Sequence, residues 1–177
     1  EGSLMKIAIV GQQDFGKAVL EAFLARGDQV AGVFCAPEKA GARADVLKVA
    51  AQEKGVQVFQ FPGLKSPEAK DALKKLDVEI GIMAFVLQFA PQDFVSIPKH
   101  GTIQYHPSLL PRHRGASPIQ AAIREGDAET GVTVMWMHEG LDTGHMLLSG
   151  SRTDAPAAKR RATGDIGFFS VASEGGV

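Results

Sequence analysis

The segment Gln104-Tyr-His-Pro-Ser-Leu-Leu-Pro111 carries the side chain best suited to proton chemistry near neutrality, the imidazole of His106. Pro107 prevents a helix from starting there, so His106 is held at a strand end, either as a packed histidine or as a catalytic one. His113 follows in the basic stretch Arg112-His-Arg114-Gly115 and reads as a loop residue. A second cluster, Met137-His-Glu-Gly-Leu-Asp-Thr-Gly144, puts Asp142 at the tip of a turn bracketed by Gly140 and Gly144. Asp before Gly also occurs in turns with no chemistry, and His138 and Glu139 read as solvated. Near the start, Gly11-Gln-Gln-Asp-Phe-Gly16 has Gln13 where a dinucleotide loop needs its middle glycine, which disfavours a nicotinamide cofactor. A helix beginning there would still offer N–H groups to an anion. Met83-Ala-Phe-Val-Leu-Gln-Phe89 is either core or the wall of an apolar pocket.

These residues need a frame. Short apolar runs at Lys6–Gly11, Val30–Phe34, Val56–Phe59, Val78–Ala84 and Thr102–His106 read as strands, with Val132–Met137 a longer one. Between them, helices are expected from Asp14, as cap, to about Arg26, over Arg43–Lys54, and from the Ser66-Pro67 start to Leu76. Phe15, Val19, Ala22 and Phe23 are expected on the inner side of the first, and Val46, Leu47, Val49 and Ala50 form the stripe of the second. Ser117–Gly126 also reads as helical. The alternation predicts an α/β fold: a Rossmann-like, mostly parallel twisted sheet with helices on both faces. Ligands bind such sheets beyond the carboxyl ends of the strands, so chemistry is expected after Val10, Ala84, Tyr105 and Met137.

The chain has 177 residues, enough for one domain with a substantial core. Its 19 Lys+Arg against 20 Asp+Glu give a net charge of −1, unlike a bulk-basic nucleic-acid binder. Cys35 is the only cysteine, which excludes an intramolecular disulfide and a cysteine-only metal cluster. No apolar run reaches the ~18 residues of a membrane span, so the cytoplasm is the expected setting. Residues 1–4, ahead of Met5, are expected to be an expression remnant. Residues 5–150 are expected to form the catalytic domain, and 151–177, small, charged and aperiodic, a loosely ordered tail.

Several ordered motifs together resemble the folate-dependent formyltransferase family: His106-Pro-Ser-Leu-Leu-Pro111, Arg114-Gly-Ala-Ser-Pro118, Gly126-Asp, Thr130-Gly-Val-Thr133 and Gly140-Leu-Asp-Thr-Gly144. The resemblance covers about Met5 to Leu148 and is shared between the family's hydrolase branch and its methionyl-tRNA branch. It implies 10-formyltetrahydrofolate as co-substrate, with no metal and no NAD, and water or an amine as formyl acceptor. It implies catalytic roles for His106 and Asp142, with Gln104 where the family commonly has Asn. Protonated His106 would face a tetrahedral oxyanion, and Asp142 would favour the imidazolium and relay a proton. Folate would be held by Met83, Phe85, Val86, Leu87 and Phe89 together with His138, Glu139, Gly140 and Leu141. Gly11, Gln12, Gln13, Ser108, Arg112 and Arg114 would lie on the acceptor side. Residues 149–177 match no branch, so tRNA binding by this chain alone is not expected; the lack of a long apolar run leaves no membrane partner expected. The alternatives are an amine formyltransferase lacking a carboxy-terminal domain and a catalytically weak folate-binding domain.

Overall fold

The computed structural model describes residues 3–115, 117–137 and 143–152. Strand β1 (Lys6–Gly11) alternates between two cores: Ile7 and Ile9 point to one side of the sheet, Ala8 and Val10 to the other. This double burial is the cause of its unbroken apolar run. Helix α1 (Gln13–Arg26) follows at once and stops at Gly27, whose φ of 95° belongs to the left-handed region. The amides of Gly27 and Asp28 return to the carbonyls of Leu24 and Phe23, and so close the last turn. Asp14 lies in the first turn of α1 and does not cap it; Gln12 occupies that position. Val19 and Phe23 pack against the core as expected, Ala22 is exposed, and Gly16 and Leu20 are the buried residues.

Strand β2 (Gln29–Phe34) leads through a loop to α2 (Val46–Glu53), capped by the Asp45 carboxylate, which accepts from the Leu47 amide at 2.9 Å. The buried face of α2 is Leu47, Ala50 and Ala51, and the expected members Val46 and Val49 are exposed. The helix starts at Val46 rather than Arg43, and Ala51 takes an inner place that the sequence pattern assigned to the valines. Strand β3 (Val58–Phe59) is shorter than expected. Helix α3 (Pro67–Leu76) begins as its Ser66-Pro67 signal requires, with Ser66 accepting from the Ala69 amide. Strand β4 (Ile80–Ala84) is followed by α4 (Gln92–Val95), a single turn too short to leave a helical period in the sequence, yet one that buries Phe94 and Val95. Strand β5 (Thr102–His106), α5 (Pro118–Glu125), β6 (Thr130–Trp136) and β7 (Met146–Arg152) complete the order.

The seven strands form one sheet in the order β3-β2-β1-β4-β5-β6-β7. Strands β1 to β5 are parallel, whereas β6 is antiparallel to β5 and β7 to β6. One core, beneath α1 and α2, gathers Ile7, Ile9, Leu20, Leu47, Ile80 and Ile82; the other, beneath α3 and α4, gathers Val10, Phe34, Leu73, Met83 and Phe94. Strand β7 reaches Arg152 and pairs Ser151 with Gly131, so the expected tail boundary at 151 is too early. Of that expected tail, 153–177 lie outside the described residues, as do 1–2 of the expected remnant.

Candidate active site

The strand order reverses between β1 and β4, the place where an α/β sheet opens a crevice at its carboxyl edge. Gly11 ends β1 there, and a Cβ on it would lie 2.1 Å from the Ala84 carbonyl oxygen, so the two strand ends touch only because residue 11 has no side chain. Gln12 continues the contact by donating its amide to that same oxygen at 3.3 Å. Gln13, at φ 59°, donates its amide to the Asp45 carboxylate at 2.9 Å. The expected anion-binding amides at the head of α1 are therefore partly taken by the chain's own carboxylate, which bridges α1 and α2.

Thr102, Gln104 and His106 share one face of β5 by the two-residue repeat of a strand. Thr102 donates to the Val95 carbonyl at 2.7 Å, so this face looks toward α4. Ile103 and Tyr105 face the other way; the Tyr105 ring lies 4.3 Å from that of Phe15 on α1, and burial pushes its phenol up to about 12. Gln104 stands between Met83 on β4 and Met135 on β6, and His106 stands opposite Thr133.

His106 is only 3% exposed, because the loop from Pro107 to Gly115 folds over it. Its Nε2 lies 2.9 Å from the backbone carbonyl of His113, and since a carbonyl only accepts, Nε2 donates. Ser108, fully buried, donates its hydroxyl to the Arg112 carbonyl at 2.7 Å. Thr133 donates to the Ser108 carbonyl at 2.7 Å and accepts from the Leu110 amide at 3.2 Å. The Arg112 guanidinium pairs with the Asp127 carboxylate, and His113 Nε2 reaches the other oxygen of that carboxylate at 2.6 Å. These contacts hold the Asp127 carboxyl below its ordinary range, first through the His113 hydrogen bond and then through the Arg112 charge.

The segment leaving β4 has its own pattern. Val86 and Ala90 pack on the core, whereas Phe85, Leu87 and Phe89 are 37%, 63% and 75% exposed. Gln88 ties the loop to the Phe61 carbonyl at 2.7 Å. Three apolar side chains thus stand in solvent at the strand end next to β5, an arrangement that suits a flat apolar ligand.

Several expected site residues are placed otherwise. Met83 is buried in the core with Val10 and Phe94, not in a pocket wall, because its strand is covered on both faces. Ser108 faces inward and braces the loop, so it is not open to an acceptor. Gln12 is buried, Gln13 and Arg114 are exposed, and Arg112 is held by Asp127. His138, Glu139, Gly140, Leu141 and Asp142 lie outside the described residues. Their flanks are described: Met137 donates its amide to Thr102, and Trp136 donates to His145. Because β6 is antiparallel to β5, the chain leaves β6 at the end of the sheet opposite to His106. The expectation that the ends of β5 and β6 share one sheet edge does not hold, for it assumed a parallel β6. Asp127 and Thr133 stand in two of the resemblance motifs, but neither motif assigns them a structural role; the return of Asp127 to His113 and of Thr133 to the loop over His106 is set by the fold.

A family model described as formyl transferase matches residues 5–154. Cytosolic 10-formyltetrahydrofolate dehydrogenase of Xenopus laevis is 46% identical over 149 residues, covering 81% of this chain and 16% of that protein. Methionyl-tRNA formyltransferase of Marinobacter nauticus is 40% identical over 167 residues, covering 92% of this chain and 53% of that protein. The chain thus spans about one-sixth of the first relative and about half of the second. Among solved structures, glycinamide ribonucleotide transformylase 1 from Geobacillus kaustophilus superposes with a TM-score of 0.73 at 25% identity, covering 90% of both chains. Phosphoribosylglycinamide formyltransferase from Bacillus halodurans gives 0.73 at 20% identity over 88% of this chain and 86% of that one, a likeness of fold.

Proposed function

This chain belongs to the formyl transferase family, and from that premise we propose that it releases the formyl group of 10-formyltetrahydrofolate to water or to an amine. The observation that carries the reading is a buried imidazole at the carboxyl end of β5, on the same face as the Gln104 amide, with exposed Phe85, Leu87 and Phe89 at the end of the adjacent strand. The apolar trio would stack on the pterin, and the formyl carbon would lie toward His106.

Attack by the acceptor on the formyl carbon produces a tetrahedral oxyanion. His106 would donate to that oxygen, exchanging its bond with the His113 carbonyl for one to a developing negative charge. Gln104, two residues earlier on the same face, would be the second donor. Asp142 would hold the imidazolium, accept the proton of the attacking nucleophile and pass it to the folate nitrogen as that nitrogen's bond to the formyl carbon breaks. The chain between Asp142 and the described His145 is long enough for this. Trp136, opposite His145, is three residues from Thr133, about 10 Å along a strand. Three peptide units separate Asp142 from His145 and span up to ~11 Å.

The name of one relative supports 10-formyltetrahydrofolate as donor; that of another supports an amine acceptor, with water as the alternative. No helix among the described residues is long and apolar enough to cross a membrane. Relatives named cytosolic support a cytosolic setting, and a mitochondrial one also matches at 44% identity.

The test follows loss of 10-formyltetrahydrofolate with a labelled formyl carbon, alone and with candidate amines. The unaltered chain is expected to turn over, with formate marking hydrolysis and a formylated amine marking transfer. His106→Ala and Asp142→Asn are each expected to slow it about 100-fold or more. An unchanged rate in either variant would overturn the assignment.

A further inference from the structure

We propose that Asp127 is a positioning residue for His106: it clamps Arg112 and His113 so that the His113 carbonyl is held against Nε2 of the imidazole. Asp127 follows Gly126, the left-handed cap of α5, and its amide returns to the Ala122 carbonyl at 3.0 Å. The backbone behind the carboxylate is therefore tied to the end of α5. From this anchor the carboxylate accepts from two consecutive residues, Arg112 on one oxygen and His113 on the other. The carbonyls of the same two residues receive the Ser108 hydroxyl and His106 Nε2. Each anchored side chain thus sits on the residue whose carbonyl faces the site.

The clamp has something to restrain. His113 has φ 53°, a left-handed conformation that crowds the Cβ of a non-glycine residue. Without the carboxylate, this residue can relax to an ordinary conformation, and its carbonyl turns with it. The His106 proton would then lose its resting partner, and a misplacement of ~1 Å at a reacting group can cost about 100-fold in rate. His113, Glu125 and Asp127 together could also offer ligands to a cation. The guanidinium on Asp127 opposes that use and favours a clamp.

The activity arm of this proposal rests on the role given to His106 above; a spectroscopic arm does not. On the full chain, the ¹⁵N-coupled Nε2–H resonance of His106 is identified by its loss in His106→Gln. It is expected to be sharp, as suits a buried, bonded proton. Asp127→Asn keeps the size but can accept only one of the two bonds. It is expected to broaden or erase that resonance and to lower kcat about 10- to 100-fold, with KM for the folate within twofold. Glu125→Gln, on the exposed side of the same cluster, is expected to change neither. Should Asp127→Asn fail to fold, His113→Leu cuts the same link and keeps the left-handed conformation costly at residue 113, so it is expected to give the same spectral change. An unaltered His106 resonance in the folded variant overturns the proposal, whether or not the rate falls. A wild-type chain that does not turn over formyl folate removes the role of His106 in formyl transfer, while the resonance still decides the clamp.

Discussion

Thr133 offers the sharpest test of how the loop over His106 is held. Its side chain is fully buried in β6, and its hydroxyl makes two bonds to that loop, donating to Ser108 and accepting from Leu110. Thr133→Val keeps the shape and removes both bonds. The Ser108 carbonyl is then buried without this partner, and the Leu110 amide, in a half-buried place, loses its acceptor. An unmet buried polar group costs about 1–3 kcal/mol, so the pair amounts to about 2–4 kcal/mol, with the Leu110 share toward the low end. For a chain of this size each kcal/mol shifts Tm by about 2–4 °C, which gives a fall of roughly 5–15 °C. Thr133→Ser reverses the test: it keeps the hydroxyl and loses one methyl, at about 1 kcal/mol. Urea unfolding followed by circular dichroism is the assay, with the midpoint expected to fall and the slope to stay constant. The reasoning fails if Thr133→Val unfolds within about 0.5 kcal/mol of wild type, or if Thr133→Ser is the weaker of the two.

Other consequences are open to simpler measurements. Leu87→Ser and Phe89→Ser remove exposed apolar surface beside the site, so each is expected to raise KM for 10-formyltetrahydrofolate about fivefold while leaving Tm unchanged. Unaltered KM in both would take the folate away from this wall. Cys35 is buried, and burial, followed by the nearby Asp45 and Glu38 charges, pushes its thiol up to about 11. A thiol-reactive dye at pH 8 is expected to label it only on unfolding. In the unfolded chain the thiol ionises near its ordinary value of about 8.5. The folded chain keeps the proton up to about 11, so stability is expected to decline between these pH values as the unfolded form sheds the proton first. Cys35→Ala should flatten that part of a stability profile against pH.

Local chemistry made much of the framework readable. The Ser66-Pro67 start of α3 and the glycine that ends α1 act within a few residues of themselves, so they can be found without a fold. Strand β5 was legible to the residue, because Thr102 to His106 lies between Gly101 and Pro107. The small buried residues of α1 and α2 were not legible. Small residues, Gly16 in one and Ala51 in the other, take the inner positions because neighbouring elements approach closely there; a Cβ on Gly16 would come within 2.8 Å of Leu47. Hydrophobicity along the chain carries no record of that approach.

By itself, the order of residues determined the alternating strands and helices, the family resemblance, and the arrival of His106 at a strand end. Each follows from side-chain type, period or motif, which are properties of neighbours in the chain. Only the folded sheet decided that β6 runs against β5, which moves the exit toward Asp142 to the far end. The same folding brought Asp127, from beyond α5, against Arg112 and His113, and seated Thr133 across from His106. Those contacts join residues 14 to 27 positions apart, and burial rather than sequence neighbourhood gives such hydrogen bonds their strength.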